Sequence, residues 1–334
     1  MLEPYIIGFS YSDSIENEAD VAALELADPT GIWSSAWFPT RGSIARVELV
    51  KEDWNEEGTI ETFPIGIMEI DECTAEYPPM QFCLKLCSVT NGSGVRGVDR
   101  FRSWEKTTLR QIAGDIANDS GMGLFFDAED FQLERVEQSQ ESSIALLRKL
   151  CADNGLVLKV SDNTIIIVDA QKYEAQPAVT TLYYGSSAIK TFQATASISK
   201  IYSDVNVYHR NNSIADFFLG TFEMFAGNAG VNVRGITEGL ARGAGSVVRT
   251  ITQKVSSEAE ARRLAKNKLR ESNKEEWRLT VVLVGDFIYT AGNVINLANF
   301  GAWSGNFIID KSTHKISQSG YETAIECHRC LVGY

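Results

Sequence analysis

The sequence has few of the features that mark a secreted, membrane-spanning or nucleic-acid-binding protein. It has no apolar run of the roughly eighteen residues that a transmembrane helix needs. Its start, MLEPYIIGFSYSDS, lacks the basic and apolar regions of a secretory signal, so we expect no export. Lys and Arg total 31 against 44 Asp and Glu, a formal net charge of −13. This acidic balance argues against stable nucleic-acid binding and against anchoring on an anionic membrane.

Catalytic and cofactor motifs are also missing. The sequence contains no GxSxG, GxxxxGK[ST] or HExxH motif, and only three histidines, so it predicts no catalytic and no cofactor site. The six cysteines are expected to be free thiols. Strand alternation sends Cys327 and Cys330 to opposite faces, and Lys85 stands between Cys83 and Cys87. We therefore expect structural thiols and no metal site.

Residues 1–98 have the pattern of a β unit. Apolar and polar residues alternate over short segments that are separated by turn residues such as those of Asp28–Gly31. A polar turn is predicted at Ser12–Glu18. Short strands with frequent turns are typical of a barrel or a sandwich. The predicted strands are Tyr5–Tyr11, Asp20–Ala27, Ile44–Val50, one or two strands within Thr59–Asp71, and Gln81–Val89.

Residues 99–172 have a different pattern, that of a small α/β insert. Thr108 and Gln111 form a capping box, in which each side chain satisfies a free backbone N–H at the start of a helix. A second helix is predicted from about Glu141 to Asp153. A hairpin of Leu156–Val160 and Thr164–Asp169 follows.

Residues 173–334 return to the β pattern. A long loop is predicted over 211–245, and a helix over 257–271 opens with a Ser-x-x-Glu capping box. On that helix Arg262, Lys266 and Arg270 recur every four residues. We interpret them as a solvated face in preference to a partner-binding stripe. The predicted strands are Val179–Tyr184, Lys190–Ser199, Asp204–His209, Trp277–Val284, Val294–Ala298, Asn306–Asp310 and Tyr321–Val332.

Three groups of motifs resemble one protein family when they are taken in this order. The first comprises Phe9–Asp13, Glu18–Asp20, Leu24–Leu26 and Trp33–Pro39. The second comprises Leu133–Ser142, Leu146–Leu150 and Gly155–Leu156, and the third Ser256–Leu269, Ala291–Asn293 and Phe300–Ile309. They are similar to segments of the late control gene D proteins, which are baseplate hub proteins of contractile-tailed phages. That family is related to the N-terminal part of the type VI secretion spike VgrG.

The resemblance implies an α+β, mainly β fold of two tail-tube-like β-barrel domains with an α/β domain inserted between them. It also implies a homotrimer whose six tube-like domains adapt a sixfold tail tube above to a threefold spike below, beside other baseplate components. The expected function is a non-enzymatic structural hub of a phage tail, an R-type bacteriocin or a related injection system. Such a particle is assembled in the bacterial cytoplasm and released on lysis.

Two other functions stay open on the residues themselves. A cell-wall hydrolase that acts at the tail tip requires paired carboxylates, for which Asp127, Glu129 and Asp130 are the best candidates. A glycan-binding module would use exposed tryptophans, namely Trp33, Trp37, Trp54 and Trp303. Because aromatic residues of β domains usually belong to the core, this last interpretation is the weaker one.

Overall fold

A computed structural model describes residues 3–15, 19–40, 42–88, 98–197, 201–202, 204–208, 231–234, 248–252 and 258–331. Within these ranges the chain forms nineteen β-strands and four α-helices, which confirms the expected mainly β composition. Among the helices of the described ranges, none has the length and apolar character needed to cross a membrane.

The N-terminal part contains the five strands that the sequence predicts. They are β1 (Ile6–Ser14), β2 (Val21–Ala27), β3 (Ile44–Glu52), β4 (Ile60–Glu76) and β5 (Gln81–Cys87). The turn predicted from Ser12 is wrong in its first residues, because the strand continues to Ser14 and the Asp13 side chain is buried. Residues 16–18 of that turn lie outside the described residues.

The middle part has the mixed α/β character expected of the insert. Its elements are β6 (Arg100–Thr108), α1 (Leu109–Asp119), β7 (Gly123–Asp127), β8 (Gln132–Glu141), α2 (Ser143–Asp153), β9 (Leu156–Ser161), β10 (Thr164–Asp169) and α3 (Ala170–Glu174). The predicted capping box is present, since the Gln111 N–H donates to Thr108 Oγ1 at 3.2 Å and the Thr108 N–H donates to Gln111 Oε1 at 3.1 Å. The strands β6 and β8 were not predicted, because they are rich in charged and exposed residues and lack a clear apolar alternation.

The C-terminal part is again rich in strands. It contains β11 (Thr180–Tyr183), β12 (Ile189–Ala196), β13 (Asp204–Tyr208), β14 (Val231–Arg234), β15 (Val248–Thr252), α4 (Glu258–Asn273), β16 (Trp277–Val284), β17 (Val294–Ala298), β18 (Gly305–Ser317) and β19 (Gly320–Arg329). The long loop predicted over 211–245 is wrong in part, since β14 lies within it and pairs with β13. Its alternating sequence, VNVR, suits a strand. The rest of that loop, and position 257 of the predicted capping box, lie outside the described residues.

One sheet connects the two ends of the chain. Its strands follow the order β12-β16-β19-β18-β1-β2-β5-β4-β3, and β17 and β11 extend it from β18. Strand β1 pairs with β2 on one side and with β18 on the other. Because β1 pairs with strands of both β parts, the described strands form one open sheet. The expectation of two closed barrels is therefore not met among them. The domain boundaries at 98/99 and 172/173 remain predictions.

The far end of this sheet bends back onto its other half. At the end of edge strand β3, Lys51 Nζ lies 3.1 Å from Asp286 Oδ1. The Trp54 indole N–H donates to the Gly285 carbonyl at 2.9 Å. Behind these contacts the rings of Phe63 and Phe287 stack with their centres 5.3 Å apart. The N-terminal and C-terminal β parts therefore share an apolar core instead of behaving as separate units.

Candidate functional site

Five charged side chains lie in a row where α3 and α4 meet the sheet, and we call them the junction network. Arg278 Nη1 lies 2.8 Å from Asp310 Oδ2, and Asp310 Oδ1 lies 2.6 Å from His328 Nδ1. His328 Nε2 is then 3.6 Å from Glu174 Oε1, which lies 2.6 Å from Arg270 Nη2. Strands β16, β18 and β19 are thereby joined to both helices through alternating charges.

The pKa values of the junction network follow from this alternation. Burial alone would lower the pKa of His328, but the Asp310 and Glu174 carboxylates outweigh it and raise that pKa above the ordinary histidine value. Burial would raise the pKa of Glu174, yet His328, Arg270 and the Leu331 N–H together lower it to about 2. In weakly acidic solution His328 is therefore protonated and Glu174 ionised, so the two side chains attract each other within the network.

A second buried group, the Lys159 cluster, joins the insert to the first strand. Lys159 Nζ bonds to the Asp13 carboxylate and lies 3.5 Å from Asp20 Oδ2. The Tyr11 hydroxyl donates to Asp20 at 3.1 Å, and the Ala291 N–H donates to Asp13 at 3.1 Å. Asp13 therefore brings together β1, the insert hairpin and the turn before β17. Two of the segments that carry the family resemblance, Phe9–Asp13 and Ala291–Asn293, meet at this carboxylate.

A cavity of about 230 Å³ lies between the Lys159 cluster and the junction network. Its lining is mostly apolar, and polar side chains from the two groups stand at its margin. The lining includes Ile15, Val157, Ile166, Val168, Tyr173, Ile308, Lys159, Glu174 and His328. On both sides of the cavity, carboxylates are held by cations and hydrogen bonds. The Lys159 cluster and the junction network are therefore suited to fixing the insert and α4 on the sheet.

The sequence led us to interpret the basic stripe of α4 as a solvated face. The structure shows that only part of it is exposed. Arg262 is exposed, Lys266 is half-buried, and Arg270 is only 5% exposed in its pair with Glu174. Lys266 Nζ donates to Gln171 Oε1 at 3.1 Å. The stripe therefore docks α4 onto α3, which the four-residue spacing alone could not reveal.

A groove of about 560 Å³ lies beside this stripe, and we call it the basic groove. Arg263 donates from Nε to Asn154 Oδ1 at 2.8 Å, and its guanidinium lies 3.7 Å from the centre of the Phe131 ring. Burial lowers the pKa of Arg263. The cations lining the groove are Arg262, Arg263 and Lys266, and the acids are Glu129 and Asp169. The groove therefore has an excess of positive charge in an acidic chain.

The three acidic candidates for hydrolysis lie at the end of β7, which is Asp127, and on the turn that follows it. Asp127 pairs with Lys172 at 2.6 Å, and both side chains are about half exposed. Asp130 accepts from the Arg110 N–H at 3.3 Å, while Glu129 lines the basic groove. The structure gives these carboxylates separate partners and no shared cleft within the described residues.

The four tryptophans considered for glycan binding lie in three different places. Trp33 is 7% exposed and packs edge-on against Trp37 at 5.1 Å. Trp54 is tied to Gly285, and Trp303 packs against Trp277 at 4.8 Å. No common aromatic platform is formed by these described side chains.

The cysteines take part in packing. Cys327 belongs to the apolar cluster around β16 and β19, whereas Cys330 packs against the separate cluster of Ile15, Val294 and Ile308. Within the described ranges no group of three or more His, Cys, Asp or Glu side chains converges as metal ligands would. Of the histidines, His314 and His328 are buried, and His209 lies outside the described residues.

The junction network and the Lys159 cluster were not predicted from the sequence. Lys159 interrupts the mostly apolar strand Leu156–Ser161, and Asp310 directly follows the apolar residues 307–309 of β18. A charge at such a place is the signal that could have found them. Glu174 offers no comparable signal, because its partner Arg270 is 96 residues away along the chain.

No protein-family model and no curated protein sequence matches the chain. Solved structures do share its fold. The 43 kDa tail protein of prophage MuSo2 from Shewanella oneidensis superposes with a TM-score of 0.73 at 12% identity, covering 97% of this chain and 94% of that one. A tail protein from Neisseria meningitidis MC58 superposes with a TM-score of 0.70 at 12% identity, covering 97% and 92%.

A third similar structure comes from a secretion system. It is an E. coli component of the type VI secretion system, described as structurally similar to the T4 tail proteins gp27 and gp5. It gives a TM-score of 0.60 at 11% identity over 98% of this chain and 75% of that one. The chain thus has the fold of phage-tail and baseplate-type proteins. The family resemblance seen in the sequence is confirmed at the level of the fold.

Proposed function

We propose that this protein is the structural baseplate hub of a contractile tail or a related injection system. The observation that carries the proposal is the extent of the fold similarity. Tail proteins of two phage-type systems match 97% of the chain and more than nine-tenths of their own lengths. A type VI secretion component matches 98% of the chain. A protein that resembles tail components from end to end is best explained as a tail component itself, with no turnover of substrate.

The proposed assembly is a homotrimer that adapts a sixfold tail tube to a threefold spike. Each chain would present two tube-like β parts, at 1–98 and 173–334, with the insert at 99–172 between them. Three chains then offer six similar parts, which fits a hexameric ring on one side and a trimer on the other. Strands β3 and β12 end the described strand order, so their free edges are available for contacts between neighbours.

The native mass of the purified chain tests this proposal. Light scattering over a range of concentrations is expected to give three times the mass of the chain. A chain that is monomeric alone should become trimeric when it is co-expressed with its spike protein. A stable dimer, or a chain that stays monomeric with the spike present, would contradict the adapter role. A peptidoglycan zymogram on the same sample is expected to show no clearing.

A further inference from the structure

An acidic turn projects from the end of the edge strand β3. It comprises residues 52–57, and its four carboxylates belong to Glu52, Asp53, Glu56 and Glu57. All four residues are exposed, and none forms an ion pair with another described residue. Four unpaired carboxylates within six residues repel one another, so this turn gains from any cation brought close to it.

The acidic turn is held in a fixed shape. Trp54 and Asn55 inside it are bonded to the Gly285 carbonyl and to Asp286 Oδ2, at 2.9 and 3.4 Å. The Gly58 N–H donates to Asp53 Oδ1 at 2.6 Å and closes the turn. Because these contacts fix the backbone, little conformational entropy is lost when the turn binds a partner.

The basic groove has the complementary charge. Arg263 and Lys266 donate to amide oxygens, those of Asn154 and Gln171, and neither forms an ion pair with a carboxylate of the described residues. Amide oxygens satisfy the hydrogen bonds of these cations but do not neutralise their charge. Of the two acids that line the groove, Asp169 is engaged in capping α3, and Glu129, like the neighbouring Glu260, acts on Arg263 only from beyond ion-pair distance. The groove is therefore suited to a carboxylate that comes from outside.

We infer that the acidic turn of one copy of this chain binds in the basic groove of a second copy. The two surfaces belong to different parts of the molecule, since the turn is fixed to residues 285–286 and the groove lies between α4 and the insert. Contact between two different surfaces is heterologous, and repeated heterologous contacts close into a ring when the rotation allows it. This inference rests on the proposed self-assembly of the chain, and it names the side chains that would hold neighbouring copies together.

Charge reversal tests the contact. The turn variant Glu56→Lys/Glu57→Lys and the groove variant Arg263→Glu/Lys266→Glu are each expected to weaken self-association by about tenfold or more, since like charges then face each other. The variant that carries all four changes should associate within about threefold of the wild type. The matched control for the turn variant is Glu105→Lys/Glu134→Lys, which makes the same change in net charge as that variant at exposed positions of β6 and β8 and should leave association unchanged.

The measurement is sedimentation velocity at 50 and 500 mM salt, where we expect the wild type to associate more weakly at high salt. Circular dichroism confirms that each variant is folded, and Lys266→Glu alone serves if the loss of Arg263 disturbs Phe131. The inference is overturned if the wild type stays monomeric, if either reversal associates like the wild type, or if the fourfold variant remains as weak as the double variants. A wild type and reversals that are all trimeric would remove this contact and leave the proposed hub intact.

Discussion

Replacing Glu174 by alanine is the sharpest test of how α3 and α4 are held on the sheet. The carboxylate is 7% exposed, and it accepts from Arg270 at 2.6 Å and from the Leu331 N–H at 2.9 Å. Its removal takes away the carboxylate that pairs with the Arg270 guanidinium, and Arg270 is buried at 5% exposure. The loss of the carboxylate also removes one of the two carboxylates that flank His328.

We expect Glu174→Ala to lower the free energy of unfolding by about 3–5 kcal/mol, the usual result of removing one partner of a buried ion pair. Most of this loss is the desolvation of Arg270, not the attraction between the two charges. The double variant Glu174→Leu/Arg270→Met removes both charges and keeps apolar bulk. It should therefore recover most of the loss.

Urea unfolding followed by circular dichroism measures the effect. The matched control is Glu322→Ala, which breaks an ion pair with Lys190 whose side chains are 34% and 41% exposed. This surface pair should contribute less than about 1 kcal/mol. Two results would refute the reasoning: a Glu174→Ala loss no larger than that of the control, or a double variant less stable than Glu174→Ala.

The pH dependence of the same variant follows from the two pKa shifts. The pKa of Glu174 is lowered to about 2, so its contribution is complete above its ordinary value and is lost as the pH falls through about 2. The pKa of His328 is raised, so its contribution is complete below its ordinary value of 6.5 and is lost as the pH rises through its elevated folded value. The stability difference between wild type and Glu174→Ala should therefore be greatest in weakly acidic solution and should decrease on either side. A difference that is flat with pH would contradict the ionic origin of the effect.

Two further predictions concern a buried histidine and a helix end. Burial lowers the pKa of His314 to about 4, so the wild type should lose stability as the pH falls from 6.5 towards 4. The urea midpoint of His314→Phe should fall less than that of the wild type between pH 6.5 and 4. An equal fall in both proteins would contradict the assignment of this pH dependence to His314. Gly155 has φ +68°, and a methyl group there would lie 2.4 Å from Asn267 Oδ1. Gly155→Ala should therefore lower stability by about 1–3 kcal/mol in thermal unfolding. Gly121→Ala, with φ +64° and open space around it, should cost less.

Local features of this fold were predictable from the sequence, and long-range ones were not. The capping box of Thr108 and Gln111 and the alternation within Trp277–Val284 depend only on neighbouring residues, and both were found at the predicted places. The pairing of β1 with β18 and the ion pair of Glu174 with Arg270 join residues that are far apart along the chain. No spacing rule carries that information, so the open sheet and the junction network emerged only from the three-dimensional structure.

The pairing of the first strand with a strand near the end of the chain has a consequence for synthesis on the ribosome. Ser12 and Thr313, which face each other across β1 and β18, are 301 residues apart. At elongation rates of about 5–20 residues per second, β18 is therefore synthesised about 15–60 s after β1. During that time one edge of β1 is open to other nascent chains, and contacts of such long range also fold slowly. Strands β18 and β19 thus complete the part of the sheet that β1 began, and a chain truncated before β18 would leave that edge of β1 exposed.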